Sequence, residues 1–385
     1  MRPLIWLVVA AAVLASCDSP TATRRAMRPQ SVVLLVTPKM FPDFAMPEAA
    51  VAQFFDHYKP LTSRAETVIV IFAVGNSDHI LKYRGGEYWN DSVDWARTTN
   101  FVPMSEQVLD YHEIDGIVRA FRNGARSSGI KLKIFDQIDS GGEFTITNSF
   151  KYALHPECTA NKWGMFDVRV RLQADQALYA SAPHGIAEGT LCGEFLADQV
   201  FRYMLDLDFD GILYGNQLGT RGRWFAGDGP GYSAEEAAAI DAFLEYSNDA
   251  FAGRELMWFD SYNNVEVERE TFSFPADGYR HFDYVIASGF CVMMRTRDDQ
   301  YLDNLRSKLQ IRSRPRILAT LDYVDPWYPY RSMTDYAGCS SQLEITAVDH
   351  RYEIDGVMFF ANDAVGALVP RNLVEAFSER FFASD

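Results

Sequence analysis

Residues 209–217 read Phe209-Asp210-Gly211-Ile212-Leu213-Tyr214-Gly215-Asn216-Gln217: a turn-forming Asp-Gly, a short apolar run, then two amides. The same grammar returns where Ile354-Asp355-Gly356 leads through Val357-Met358-Phe359-Phe360 to Asn362-Asp363. Short apolar runs without polar alternation are what a strand buried on both faces requires, and such strands belong to parallel sheets. Working outward, the same kind of run recurs as SVVLLVT (31–37), TVIVIFAV (67–74), IKLKIFD (130–136), ELMWFD (255–260), YVIASG (284–289) and RILATLD (316–322). Helical patterns fall between them at 47–58, 105–127, 188–207, 233–251, 298–311 and 343–350, and a last one spans 369–382. Alternating strands and helices of this number predict an α/β fold, a (β/α)8 TIM barrel with long βα-loop insertions. The two Asp-Gly strands stand fourth and eighth, half a barrel apart. The alternative is an open doubly wound sheet, but no GxGxxG or GxxxxGK[ST] follows any strand, so its phosphate cradle is missing.

The chain has 385 residues, 48% hydrophobic and 14% aromatic, enough to close a sizeable core and too apolar for a disordered segment. Lys and Arg number 36 against 52 Asp and Glu, a net charge of −16. An acidic surface repels phosphate backbones, which argues against a nucleic-acid partner. Beyond the first twenty residues no apolar run approaches the roughly 18 residues a membrane-spanning helix needs.

Those first residues have their own pattern. Arg2 precedes an apolar stretch from Leu4 to Ala15, which ends in Leu14-Ala15-Ser16-Cys17. A positive start, a short apolar core and small residues before a cut describe a secretory signal. The Leu-Ala-Ser-Cys ending resembles the bacterial lipobox, which implies a signal peptide over 1–16 and lipidation of Cys17. Removal of 1–16 takes away Arg2 alone among charged residues, so −16 becomes −17. Residues 17–30, polar and Pro-containing, read as a flexible tether, and 31–385 as the barrel domain. The expected location is the bacterial cell envelope, periplasmic or at the surface, with membrane contact only through the lipid. Asp18 after the Cys resembles an inner-membrane retention residue of some Gram-negative lipoproteins.

Four further cysteines remain, Cys158, Cys192, Cys291 and Cys339. Outside the cytoplasm an even number suggests disulfides, and Cys158 with Cys192 is the preferred pair because both fall in one long connection. Four free buried thiols are the alternative. No CxxC, HxH or HExxH occurs, so neither a zinc site nor any other cofactor is expected. Oxygen ligands for calcium are plentiful, but no EF-hand loop is present. The nucleophile elbow GxSxG is missing too.

In such barrels chemistry sits at the C-terminal ends of the strands. Those ends carry Asn76, Asp136, Asn216 with Gln217, Asp260, Asp322, and Asn362 with Asp363. Aromatic residues crowd the loops beyond: Tyr83, Tyr88, Trp89 and Trp95 after the second strand, Trp224 after the fourth, Tyr262 after the fifth, and Tyr323, Trp327, Tyr328 and Tyr330 after the seventh. Aromatic faces stack on the C–H faces of sugar rings, and carboxylates and amides bond the hydroxyls. Acids and aromatics without a basic cluster favour a neutral polyhydroxylated ligand over a phosphorylated one.

The phrase Phe209 to Gln217 resembles the strand-four signature of several barrel glycoside hydrolases, where a DG-apolar run delivers an acid or an Asn to the mouth. Trp258-Phe259-Asp260-Ser261-Tyr262 is similar to the WYDS-type strand five of endo-β-N-acetylglucosaminidases that use substrate-assisted chemistry. In those enzymes strand four ends in Asn-x-Glu; here Asn216 is followed by Gln217 and Leu218. The resemblance implies a glycoside hydrolase acting on an oligosaccharide or glycan through two carboxyl groups. Asp260 is the first candidate, as nucleophile or stabilising carboxylate, and Asp322 the second, as acid/base. Asp136 and Asp363 follow. Asn216, Gln217, Asn76, Trp224, Tyr262, Tyr323, Trp327 and Asn362 would bind substrate. Amides where strand four usually holds an acid leave a second reading open, a non-catalytic carbohydrate-binding lipoprotein on the same scaffold.

Overall fold

The computed structural model describes residues 31–36, 40–41, 46–72, 81–84, 87–90, 111–138, 168–171, 191–196, 205–214, 234–251, 253–260, 278–287, 315–321, 355–360 and 368–382. Ten strands occur among them: β1 (Ser31–Val36), β2 (Thr67–Phe72), β3 (Leu81–Arg84), β4 (Glu87–Asn90), β5 (Leu132–Ile138), β6 (Gly211–Tyr214), β7 (Glu255–Asp260), β8 (Tyr284–Ala287), β9 (Arg316–Leu321) and β10 (Gly356–Phe360). Helices α1 (Pro47–Thr62), α2 (Tyr111–Ser127), α3 (Cys192–Leu196), α4 (Ala234–Ala250) and α5 (Arg371–Phe381) lie between and after them.

Eight of the strands close into one barrel in the order β1-β2-β5-β6-β7-β8-β9-β10, every neighbouring pair parallel. Pairing of β10 with β1 removes the open edges of a doubly wound sheet and settles the choice between the two architectures. One circuit along the paired residues returns to β1 displaced by eight positions, the stagger a (β/α)8 barrel has. Each barrel strand lies where an apolar run predicts it. Only β5 is shifted, starting at Leu132 rather than 130. Gly129 ends α2 at φ +67°, and Ile130 N–H returns to the carbonyl of Ala125 at 2.9 Å, so Ile130 completes the helix cap.

Alternation along the strands builds two apolar layers. Val33, Ile69, Ile71, Phe135, Leu213, Met257, Ile286, Leu318 and Met358 fill the lumen with Tyr284. The intervening residues, such as Val68, Ile134, Ile212 and Leu256, are equally buried and face the helices. In that outer layer Phe54 meets Phe121 edge-on at 5.4 Å and Phe41 meets Phe72 at 6.1 Å. Pro47 presets the first turn of α1, whose Val51, Phe54, Phe55, Tyr58 and Leu61 recur at helical spacing on the buried face. The last helix docks on the first. Val369 N–H donates to Tyr58 Oη at 3.1 Å, His57 Nε2 donates to Val369 O at 2.6 Å, and Arg371 Nη1 reaches the carbonyls of Asp56 and His57.

The N-terminal end of the barrel is closed by charge. Lys133 Nζ lies 2.6 Å from both Glu255 oxygens and 3.0 Å from Tyr284 Oη. Arg316 Nη2 reaches Glu255 Oε1 at 2.9 Å, and its guanidinium stacks 3.7 Å above the Tyr284 ring. Burial opposes the charge on Lys133, but bonds to Glu255 and Tyr284 outweigh it and hold the ammonium above the usual lysine range. Two glycines stand beside this cluster. A Cβ on Gly211 would lie 2.1 Å from the Glu255 carbonyl oxygen and 2.5 Å from the Phe135 ring; on Gly356 it would lie 2.6 Å from Ser31 O. These strands touch where only glycine fits.

Candidate active site

Because the barrel strands are all parallel, their C-terminal residues gather at the end opposite the charged floor: Val36, Phe72, Ile138, Tyr214, Asp260, Ala287, Leu321 and Phe360. Asp136 and Asp260 are the acids that the described strands carry at this end. Asp136 pairs in register with Phe72 on one side and Ile212 on the other, and it is fully buried. It alternates with the lumen residue Phe135, which puts it on the helix-facing side of β5. Asp260 is the final residue of β7, level with Ala287 of β8, and shares the register class of Leu256 and Trp258 rather than of Met257. Trp258 is buried against Phe282, with ring centroids 5.6 Å apart.

The fourth barrel strand is pinned at its tip. Tyr214 Oη bonds Ser247 Oγ of α4 at 2.9 Å, and Ser247 Oγ donates to the Phe243 carbonyl at 2.8 Å. Burial pushes the Tyr214 hydroxyl far above its ordinary range, so it stays neutral and the link is indifferent to pH across any physiological range. The chain leaves this fixed point toward Asn216 and Gln217. Those two residues lie outside the described ones, as do Asn76, Trp224, Tyr262, Asp322, Tyr323, Trp327, Asn362, Asp363 and Cys17.

Comparison with solved structures places this geometry. GH5_18 from Streptomyces cattleya in complex with GlcNAc aligns with a TM-score of 0.51 at 11% identity, covering 94% of this chain and 82% of the other. The shared fold is a TIM barrel. A variant of the same protein in complex with Manb1-4GlcNAc aligns with a TM-score of 0.48 at 12% identity, over 90% of this chain and 80% of that one. The tandem GH20 catalytic modules of the pneumococcal exo-β-D-N-acetylglucosaminidase StrH give 0.40 at 10% identity, over 93% and 83%. At such identities the likeness is one of fold. No family model and no curated protein matches the sequence.

Two features of the barrel were not read from the sequence. The first is an antiparallel hairpin after the second barrel strand, β3 with β4, registering Tyr83 opposite Tyr88 and Lys82 opposite Trp89. Gly85-Gly86, two residues between apolar-polar runs, is its signal. The second is the meaning of the repeated Asp-Gly. Asp210 Oδ2 accepts the Ile134 N–H at 2.7 Å while its own N–H donates to Ile134 O at 2.8 Å. Asp355 does the same to Ile317, and Asp283 to Leu256. The motif brackets the start of the preceding strand, and Arg122 Nη2 adds a bond to Asp210 at 2.7 Å.

Cys192, at the start of α3, is buried and disulfide-bonded. Its partner lies outside the described residues, and free thiols at all four positions are excluded. Among the described residues no three His, Cys, Asp or Glu side chains converge to hold a metal ion. Nor is any described helix long and apolar enough to cross a membrane.

Proposed function

We propose that this chain is a glycoside hydrolase of the bacterial cell envelope, anchored through a lipid on Cys17. The reading is carried by one observation: a closed parallel barrel of glycoside-hydrolase-like fold ends its fifth strand at Asp260. In sequence, the neighbouring strand ends add Asp322, Asp363, Asn216, Gln217, Asn76 and Asn362, with Trp224, Tyr262, Tyr323 and Trp327 beyond. Asp260 and Asp322 form the carboxyl pair that flanks the glycosidic bond, one as nucleophile or base and the other as acid. Asp136, buried against the helices, acts behind the mouth. The fold neighbour bound to GlcNAc makes N-acetylated sugars the first class to offer. An oxidised Cys192 suits a chain exported from the reducing cytoplasm.

The test is hydrolysis by the mature chain across a glycan panel, read at the reducing end, beside Asp260→Asn and Asp322→Asn. Loss of a catalytic carboxylate is expected to lower kcat by about 10²–10⁴. The second reading, a sugar-capturing lipoprotein without catalysis, is favoured by Gln217 and Leu218 standing where strand four of comparable enzymes holds an acid. Saturable binding without turnover, unaltered in both variants, would establish it instead.

A further inference from the structure

Strand β1 begins at the pole opposite the strand ends, and that bears on how the protein meets its membrane. Ser31 opens β1 at the charged floor, level with Thr67 of β2 and Gly356 of β10. From Cys17 to Ser31 the chain takes fourteen Cα–Cα steps, which reach at most about 50 Å fully extended. Helix α1, of 16 residues, descends from the mouth to the floor and is about 24 Å long. To bring the strand ends to the bilayer, the segment would have to spend about half of that reach on the height alone and then pass outside the helix ring. The opposite posture asks nothing of it.

Charge adds a second argument. Residues 18–30 hold Arg24, Arg25 and Arg28 against Asp18 alone, a net +2, and with Arg2 set aside this leaves −19 on residues 31–385. Each Arg near an anionic leaflet is attracted to it, the attraction falling off within a Debye length. The basic segment is therefore drawn to the headgroups, while the acidic barrel is repelled from them.

We propose that the barrel stands with its charged floor toward the bilayer and its strand ends facing away, open to glycans beyond the headgroup layer. This rests on lipid anchoring at Cys17. The full lipidated chain, on vesicles of phosphatidylethanolamine and phosphatidylglycerol carrying an acceptor dye on the lipid, tests it by energy transfer. Donors are attached through an encoded bioorthogonal side chain at Met46 or at Lys131. Met46 is 66% exposed just ahead of α1 at the mouth, and Lys131 is exposed just ahead of β5 at the floor.

With the two donors separated by about the height of α1, transfer from position 131 is expected to exceed that from position 46 by about twofold or more. Equal or reversed transfer, with the protein still floating with the vesicles, overturns the orientation and leaves the anchor standing. A wild-type chain that stays in solution as Cys17→Ala does overturns the anchor, and the orientation with it.

Discussion

Asp210 and Asp355 hold equivalent stations half a circuit apart, each gripping the strand before its own through a carboxylate oxygen 2.7 Å from a backbone N–H, at Ile134 and at Ile317. The sequence echo between the fourth and eighth strands is thus a feature of the floor. Its acids fix strand register, and the candidate site lies at the other end of the same strands.

Replacing Asp355 with Ala leaves the Ile317 N–H without that acceptor and is expected to cost about 1–2 kcal/mol of stability. Asp210→Ala is expected to cost more, because Arg122 also loses one of its partners, the Asp210 carboxylate at 2.7 Å, and keeps Asp208. Urea midpoints of the two variants against wild type check the ranking. Equal midpoints in all three proteins would mean the bracket adds nothing.

A methyl group at position 356 would meet backbone, Ser31 O at 2.6 Å, as well as Leu318 Cδ2 at 2.7 Å. Gly356→Ala is expected to destabilise by about 1–3 kcal/mol by forcing β1, β9 and β10 apart. Gly116, whose added Cβ would come no nearer than 3.9 Å to Pro47, is the internal control: Gly116→Ala is expected to be neutral or stabilising.

The pairing of Lys133 gives the floor an alkaline limit. Its folded pKa is raised above the ordinary lysine value of 10.5, so the stabilisation is complete below that value and fades as pH climbs through the folded pKa. Stability is therefore expected to fall from about pH 10.5 upward, and Lys133→Met is expected to lose that part of the slope. Glu255→Gln, which leaves Lys133 and Arg316 facing each other with 21% and 41% of their side chains exposed, is expected to cost about 2 kcal/mol after allowance for solvent screening. Thermal melts across pH 8–12 decide both points.

The disulfide at Cys192 closes a loop in the unfolded chain, and its loss is expected to cost about 2–4 kcal/mol. Cys192→Ser and reduced wild type are expected to melt together below the oxidised protein. A melt indifferent to reductant would show that the bond forms no part of the stable fold.

The barrel was legible because burial on both faces leaves little choice of residue: TVIVIF and SVVLLV admit hardly any reading but parallel strands. Lys133, Glu255 and Arg316 were not legible as a unit. Each is one polar residue at the edge of an apolar run, and only closure of the sheet brings strands three, five and seven face to face. The hairpin β3–β4 was visible in Gly85-Gly86 but lay in a stretch read for its aromatics. At the mouth the order of the acids was legible while their meeting was not, since Asp136 and Asp260 sit on a register class that the chain shares with buried apolar residues. Which acids converge is decided by residues beyond the strand ends, outside the runs whose apolar periodicity makes the sequence readable.

The aspartate brackets have one more implication, for inheritance. They and the two close-contact glycines work at one pole, through backbone atoms that every sequence possesses. A descendant that kept Asp210, Asp283 and Asp355, with Gly211 and Gly356, could exchange every surface loop at the other pole and still thread the same staves in the same order. Two such proteins would share a skeleton and almost no letters.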